Sequence, residues 1–185
     1  MSGPLDVAMA QSNVTVPYTN TYWVVPGTFL AGEHPTELDD NITKERLSAL
    51  LDAGIGGFVD LTEAHEVKGY HHLLRSLADS RRMEVVFRRV PIRDGGVPSV
   101  STVREILDEI DRLVNAKIPV FVHCFAGLGR TGTVVGCYLR RRGLAAQGEV
   151  VAEIKKLRRL MPSGSETSPQ TPDQVRMVET WEDRA

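Results

Sequence analysis

Ile118-Pro119-Val120-Phe121-Val122-His123-Cys124-Phe125-Ala126-Gly127-Leu128-Gly129-Arg130-Thr131 is the stretch whose reading decides the fold. Its first five residues form an apolar run that reads as a buried strand. Beyond it, Thr133-Val134-Val135-Gly136-Cys137-Tyr138-Leu139 is apolar and suits a helix. A cysteine-bearing loop therefore joins the end of a strand to the start of a helix. Such a loop points backbone N–H groups and the positive end of a helix dipole at one spot, a ready anion site. The same field favours thiolate over thiol at Cys124. Arg130 adds a planar fork of donors that matches two phosphate oxygens. A thiolate, an oxyanion cradle and an arginine clamp together imply phosphoryl transfer.

Outward from this loop, strands and helices alternate. Tyr22-Trp23-Val24-Val25 and Thr28-Phe29-Leu30 flank Pro26-Gly27 and predict an edge hairpin. Ile42-Thr43 predicts a helix start, with Thr43 as cap and Ile42 stapled onto Leu47, running to about Gly54. Gly57–Leu61 reads as a strand, 67–80 as a weaker helix and Met83–Phe87 as the next strand. Ser101–Asn115 carries Val103, Ile106, Leu107, Ile110, Leu113 and Val114 on one helical face. A helix over about 149–161 follows the central one. Thr171-Pro172-Asp173-Gln174 then reads as a capping box opening a last helix. The expected fold is α/β: a central, mostly parallel sheet of about four to five strands, flanked by helices. Such sheets carry their sites at the carboxyl ends of strands, where Cys124 falls.

Composition sets the frame. With 185 residues, 42% hydrophobic and 25% charged, the chain fits one globular domain. Residues 1–20 read as a flexible N-terminal arm and 21–185 as a single catalytic domain. A net charge of −2 gives no support for nucleic-acid binding or stable membrane association. No run approaches the ~20 apolar residues that span a bilayer, and Met1–Gln11 lacks the form of a secretory signal. Two cysteines, one wanted as a thiol, favour a reducing compartment, and cytoplasm is the expected location.

The sequence Cys, five residues, Arg, Thr, preceded by His and placed between strand and helix, resembles the active-site loop of the protein tyrosine phosphatase superfamily. The small size is similar to its dual-specificity branch, and the likeness runs from about Trp23 to Trp181. It implies a dual-specificity-phosphatase-like fold and metal-independent hydrolysis of phosphomonoesters through a cysteinyl-phosphate, with no cofactor. The expected substrate is phosphotyrosine, with phosphoserine or phosphothreonine behind it, in a phosphorylated protein or peptide. The resemblance makes Cys124 the nucleophile and Arg130 the clamp. His123, Phe125, Ala126, Gly127, Leu128 and Gly129 complete the phosphate-binding loop, with His123 ordering it. Thr131 is expected to donate to the departing sulfur. Asp94, in Pro91-Ile92-Arg93-Asp94-Gly95-Gly96-Val97-Pro98, takes the place of the general acid, with Asp60 as rival. Gln174 is the expected residue for orienting the hydrolytic water, with Gln170 just before it.

Other residues read as structural. His71 and His72 are adjacent on a helix and are expected to diverge. Cys137 reads as core, with a redox role beside Cys124 as the alternative. Arg88, Arg89 and Arg93 form a cluster that could draw anionic substrates. Arg140–Arg142 and Lys155–Arg159 read as solvated helix faces. The alternative substrate is a phosphoinositide or other small phosphomonoester; the interior residues Ala126 and Leu128, where lipid-directed relatives place lysines, argue against it. From another class, a non-catalytic phosphopeptide-binding module would be expected to lack Cys124, Arg130 or Asp94, and all three are present.

Overall fold

A computed structural model describes residues 15–183. Its five-stranded sheet has the order β1-β2-β5-β3-β4, formed by β1 (Thr21–Val25), β2 (Phe29–Gly32), β3 (Gly57–Asp60), β4 (Val86–Arg89) and β5 (Val120–His123). Only the β1–β2 hairpin is antiparallel; β2–β5, β5–β3 and β3–β4 run parallel. Among the described residues six α-helices flank it: α1 (Asp40–Asp52), α2 (His71–Ser80), α3 (Val100–Asn115), α4 (Gly129–Arg141), α5 (Val150–Arg158) and α6 (Pro172–Thr180).

Alternation along the strands sends side chains to two cores. Phe29, Ala31, Val59, Val120 and Val122 meet α3, α4, α5 and α6. Leu30, Phe58 and Phe121 meet Leu47, Leu50 and Leu51 of α1 and Leu74, Leu77 and Ala78 of α2. A sheet covered on both faces explains why its central strands are apolar throughout.

Several element boundaries differ from the sequence expectation. Asp39, not Thr43, caps α1: its carboxylate accepts from Asn41 N at 2.8 Å. Thr43 lies one turn inside, buried, with its hydroxyl accepting from Glu37 N at 2.9 Å, and Ile42 is exposed rather than stapled. β4 begins at Val86, because pairing with Gly57 sets its register and Met83 N is used in closing α2 onto Ala78 O. Arg158 does not lie on a solvated face; it is buried and donates to the carbonyls of Ser163 and Glu166. Arg141 is also drawn in, by Asp108, Asp111 and Asp183. Of the expected arm, residues 1–14 lie outside the described residues. Residues 15–20 are tied to the domain: Tyr18 Oη donates to Glu33 O at 2.6 Å and Trp23 Nε1 to Thr15 O at 3.3 Å.

At the carboxyl end of the sheet, Asp60 and His123 are register partners on adjacent strands. Both are fully buried, within 4.0 Å of each other. Asp60 accepts from the Thr62 hydroxyl and amide and from the Arg89 guanidinium, at 2.6–2.9 Å. Burial alone would raise its carboxyl; the His123 ring and these hydrogen bonds outweigh that and hold it below the usual range. Fully engaged and ionised, Asp60 is a structural anion. His34 stands edge-on to both His123 and Tyr70, with centroids 4.8 and 5.3 Å away. Its Nδ1 pairs with the Thr36 hydroxyl and its buried Nε2 has no hydrogen-bond partner. Burial, then the neighbouring His123, pushes His34 down to about 3.

A histidine held neutral in the fold makes stability depend on pH. Below 6.5, its ordinary value, the unfolded chain binds a proton that folded His34 refuses. Stability is therefore lost as pH falls, and this residue should cost about 2 kcal/mol at pH 5 relative to neutral pH. Asp60 contributes in the same direction only at lower pH, below the ordinary carboxylate range. Urea unfolding at pH 7.5 and pH 5 should show a smaller gap in His34→Gln than in wild type. An unchanged gap would mean that His34 accepts its proton while folded.

Candidate active site

Strand β5 ends at His123, and its carbonyl accepts from Leu61 N at 2.9 Å. The His123 ring is held by the Tyr70 hydroxyl at Nε2, 2.6 Å away, and its Nδ1 lies 3.4 Å from the Cys124 carbonyl oxygen. His123 thus ties the backbone of Cys124 to the sheet. On the far side, His34 N donates to Phe125 O at 2.9 Å. At Gly127 (φ +71°) the loop passes so close to β2 that a Cβ would meet the Gly32 carbonyl carbon at 2.4 Å. Only glycine fits both that conformation and that approach.

Helix α4 starts at Gly129, four residues earlier than the apolar run by itself suggests. Its first turn therefore holds Gly129, Arg130 and Thr131, all buried. The helix N-terminus is aimed at the loop that bears Cys124, which is what an oxyanion cradle requires. Leu128 and Gly127 are buried as well, so Phe125 and Ala126 are the loop's exposed residues.

Arg130 is 1% exposed and its charge is met by groups from two other loops. Glu66 takes both terminal nitrogens, Nη1 at 2.6 Å and Nη2 at 2.7 Å, while Ile92 O accepts from Nη1 at 3.0 Å. The bond from Arg130 holds the Glu66 carboxylate below the usual range. Asp94 Oδ1 lies 3.1 Å from Nη2, and its side chain is 78% exposed. Nε is buried with no partner. Glu66 and Ile92 thus hold one edge of the guanidinium, and the Nε–Nη2 edge is left for a ligand once Asp94 withdraws. Asp94 thus lies beside Arg130 on its solvent side.

Glu66 was not singled out by the sequence. It lies in the loop after β3, and its carboxylate is also engaged by Glu63 N at 2.7 Å. A Glu-x-x-Glu loop carries no motif that points sixty positions down the chain. Only the parallel pairing of β3 with β5 brings the two loops together.

Gln174 is fully buried and forms the expected capping box with Thr171. Its Oε1 accepts from the amides of Gln170 and Thr171, and its Nε2 donates to Gly96 O at 2.9 Å. The side chain therefore ties the acid loop to α6. Gln170 is exposed, and its Oε1 would lie 2.8 Å from a Cβ placed on Gly129. The Thr131 hydroxyl is buried without a hydrogen-bond partner.

Two of the three arginines expected to draw anions are committed elsewhere: Arg88 to Glu105 and Glu109, Arg89 to Asp60. His71 and His72 do not diverge, since their ring centroids are 3.9 Å apart. Cys137 is a fully buried core residue whose thiol burial pushes well up. His34, Asp60 and His123 bring ligand-type atoms within 4.8 Å of one another. Arg89 already balances Asp60 and Tyr70 holds His123, so this cluster is charge-matched without a cation.

A family model described as "Polymorphic toxin system, DSP-PTPase phosphatase" matches residues 35–144, more than half of the chain. The chain is 31% identical over 154 residues to the dual specificity protein phosphatase CDC14B of Mus musculus, covering 80% of this chain and 29% of that one. It is also 31% identical over 138 residues to the CDC14A enzyme of Homo sapiens, covering 72% and 22%. The chain thus spans less than a third of the length of these relatives. Among solved structures, Tk-PTP in its active form superposes with a TM-score of 0.64 at 24% identity, covering 90% and 98%. Kinase associated phosphatase does so at 0.64 and 20% identity, covering 89% and 93%. At these identities the structures speak for the fold alone. With the signature loop, the buried clamp and the family match in agreement, the chain belongs to the dual-specificity phosphatase (DSP-PTPase) family of the protein tyrosine phosphatase superfamily.

Proposed function

We propose that this chain hydrolyses phosphomonoesters on proteins or peptides, phosphotyrosine first, by a cysteinyl-phosphate mechanism. The observation that carries the reading is the state of Arg130: buried, held from one edge by Glu66 and Ile92, and presenting Nε and Nη2 beside Asp94. A dianionic phosphate docking on that edge displaces the Asp94 carboxylate from Nη2. In its protonated form Asp94 then stands by the ester bridge.

Attack by the Cys124 thiolate forms the S–P bond and breaks the P–O bond. Asp94 gives its proton to the leaving oxygen. Loop amides and Arg130 hold the equatorial oxygens, where phosphoryl transfer concentrates its charge. In the second step water attacks phosphorus, Asp94 takes its proton, and the sulfur leaves as thiolate. The unpartnered Thr131 hydroxyl is suited to donate to that sulfur. With the Gln174 amide already engaged at both ends, its role is to hold the acid loop, and the exposed Gln170 is the better-placed amide to orient the water. A thiol nucleophile needs a reducing setting, and cytoplasm is the proposed location.

A phosphoinositide or inositol-pyrophosphate substrate is the second reading. It is favoured by fold likeness to PTPMT1, solved with PI(5)P, and to the PP-IP phosphatase SIW14 of S. cerevisiae, both under 25% identical. The exposed residues of the signature loop, Phe125 and Ala126, carry no cation for extra phosphates.

Cys124→Ser should abolish turnover of a phosphotyrosyl peptide while vanadate still binds, since the cradle survives. Activity within tenfold of wild type would overturn the mechanism. Glu66→Gln keeps the shape of the arginine support but leaves the buried guanidinium without its counter-charge, so kcat should fall roughly ten- to a hundredfold and fold stability by about 3 kcal/mol. Steady-state kinetics and urea melts on the same preparation check both halves. Asp94→Asn should slow phosphotyrosine more than an activated nitrophenyl ester, because only the poor leaving group needs its proton in the transition state. Equal losses on the two substrates would remove Asp94 from the acid role.

A further inference from the structure

Aromatic side chains are placed unevenly in this molecule. Of its five phenylalanines, Phe29, Phe58 and Phe121 are fully buried and Phe87 is half-buried. Both tryptophans are buried, as are Tyr22, Tyr70 and Tyr138, and Tyr18 is half-buried with Arg46 over its ring. One aromatic remains exposed, at 59%: Phe125, next in sequence to the nucleophile. Its backbone is fixed by the His34 amide. Its ring, by contrast, stacks on no other aromatic among the described residues.

Leaving most of a phenyl ring in water forgoes the stabilisation that burial would bring. A single exposed hydrophobe needs no explanation on a general surface. This one differs in position, because Cys124 beside it is 3% exposed and Arg130 is 1% exposed. The reacting groups are recessed, so a phosphate that reaches them carries its organic group out past Phe125. Val97, on the acid loop one residue from the Gly96 carbonyl that Gln174 holds, is also exposed at 43%. The mouth of the site therefore carries one exposed apolar residue on the signature loop and another on the loop of Asp94, where Arg93 and Asp94 are exposed as well.

We propose that Phe125 is the specificity-determining residue of this site, a wall that packs on the aromatic ring of an aryl phosphomonoester such as phosphotyrosine. The inference rests on the phosphatase reading above and narrows its substrate class. The ring is supplied from within the phosphate loop. A seryl ester places a single methylene at the same level and leaves the phenyl face uncovered. An inositol phosphate places hydroxyls and further anions there, where Phe125 and Ala126 offer neither hydrogen bonds nor charge.

Paired aromatic rings gain about 0.5–1.5 kcal/mol beyond the area they bury, so the expected effect is roughly three- to tenfold in substrate affinity. The test uses the full chain and two peptides identical except for phosphotyrosine or phosphoserine. Phe125→Ser should raise KM for the phosphotyrosyl peptide roughly three- to tenfold more than it raises KM for the phosphoseryl peptide. Phe125→Tyr, which keeps the ring, should keep the wild-type ratio of the two KM values, and Phe125→Leu should fall between. Vanadate has no organic group, and its binding reports whether each variant keeps its cradle. Should Phe125→Ser lose vanadate binding, the tyrosine and leucine variants carry the comparison. Equal shifts on both peptides, or a tyrosine variant as impaired as the leucine one, would overturn the proposal while leaving the mechanism standing. Wild-type preference for inositol hexakisphosphate over the phosphotyrosyl peptide would also overturn it. Activity surviving in Cys124→Ser would instead bring down the phosphatase reading itself.

Discussion

A guanidinium buried at the base of a catalytic loop is the constraint on which the rest of this structure depends. Removing a charge from water costs several kcal/mol unless partners replace the lost solvation with good geometry. Arg130 obtains that from Glu66, reached from the loop after β3, and from the Ile92 carbonyl, reached from the loop after β4. Three strand ends must therefore be adjacent and level, which the parallel register Gly57↔Val120 and Gly57↔Val86 provides. The arrangement also selects which edge of the arginine is left for a ligand. With Nη1 doubly engaged, the Nε–Nη2 edge is the one a phosphate can use, and Asp94 waits on it.

The loop around the nucleophile is rigid for a related reason. His123 is held by Tyr70 from the position just before α2, Phe125 by the His34 amide, and Gly127 by its contact with the end of β2. Beneath it, the ionised Asp60 is matched by Arg89 and Thr62, while His34 is kept neutral by burial. Positioning and preorganised charge are most of what phosphoryl transfer asks of a protein. Here they are supplied by side chains whose own partners lie in the second layer of the fold. The environment of Asp94 is different: it is exposed on a glycine-flanked loop tethered at Gly96 by Gln174, and it contacts Arg130 from the solvent side.

Local features read correctly where the chemistry was local. The strand-loop-helix order around Cys124, the apolar face of α3, the edge hairpin and the capping box of Thr171 and Gln174 each depend on residues within one turn or one strand of each other. Readings failed where a local preference had a competitor. Thr43 can cap a helix, but Asp39 does so four positions earlier, and Thr43 is turned inward to Glu37 instead. Met83-Glu84-Val85 has the composition of a strand, yet the ladder with β3 starts only at Val86. Arg158 sits in a basic run that looks solvated, but carbonyls of the following turn take it in.

The sequence by itself determined the class of fold and the loop from His123 to Thr131 that carries the family likeness, because that loop is built from consecutive residues whose order sets where the amides and the arginine point. It also placed Asp94 on a loop with hinge-like ends, since glycine and proline act through local backbone geometry. Only the tertiary structure decided that Glu66 supports Arg130, that Asp60 is a structural anion and that Gln174 secures the acid loop. It alone decided that Phe125 is the aromatic left facing solvent at the mouth. Each of these depends on which loops the parallel sheet brings side by side, and contacts between residues distant in sequence leave no periodicity to read.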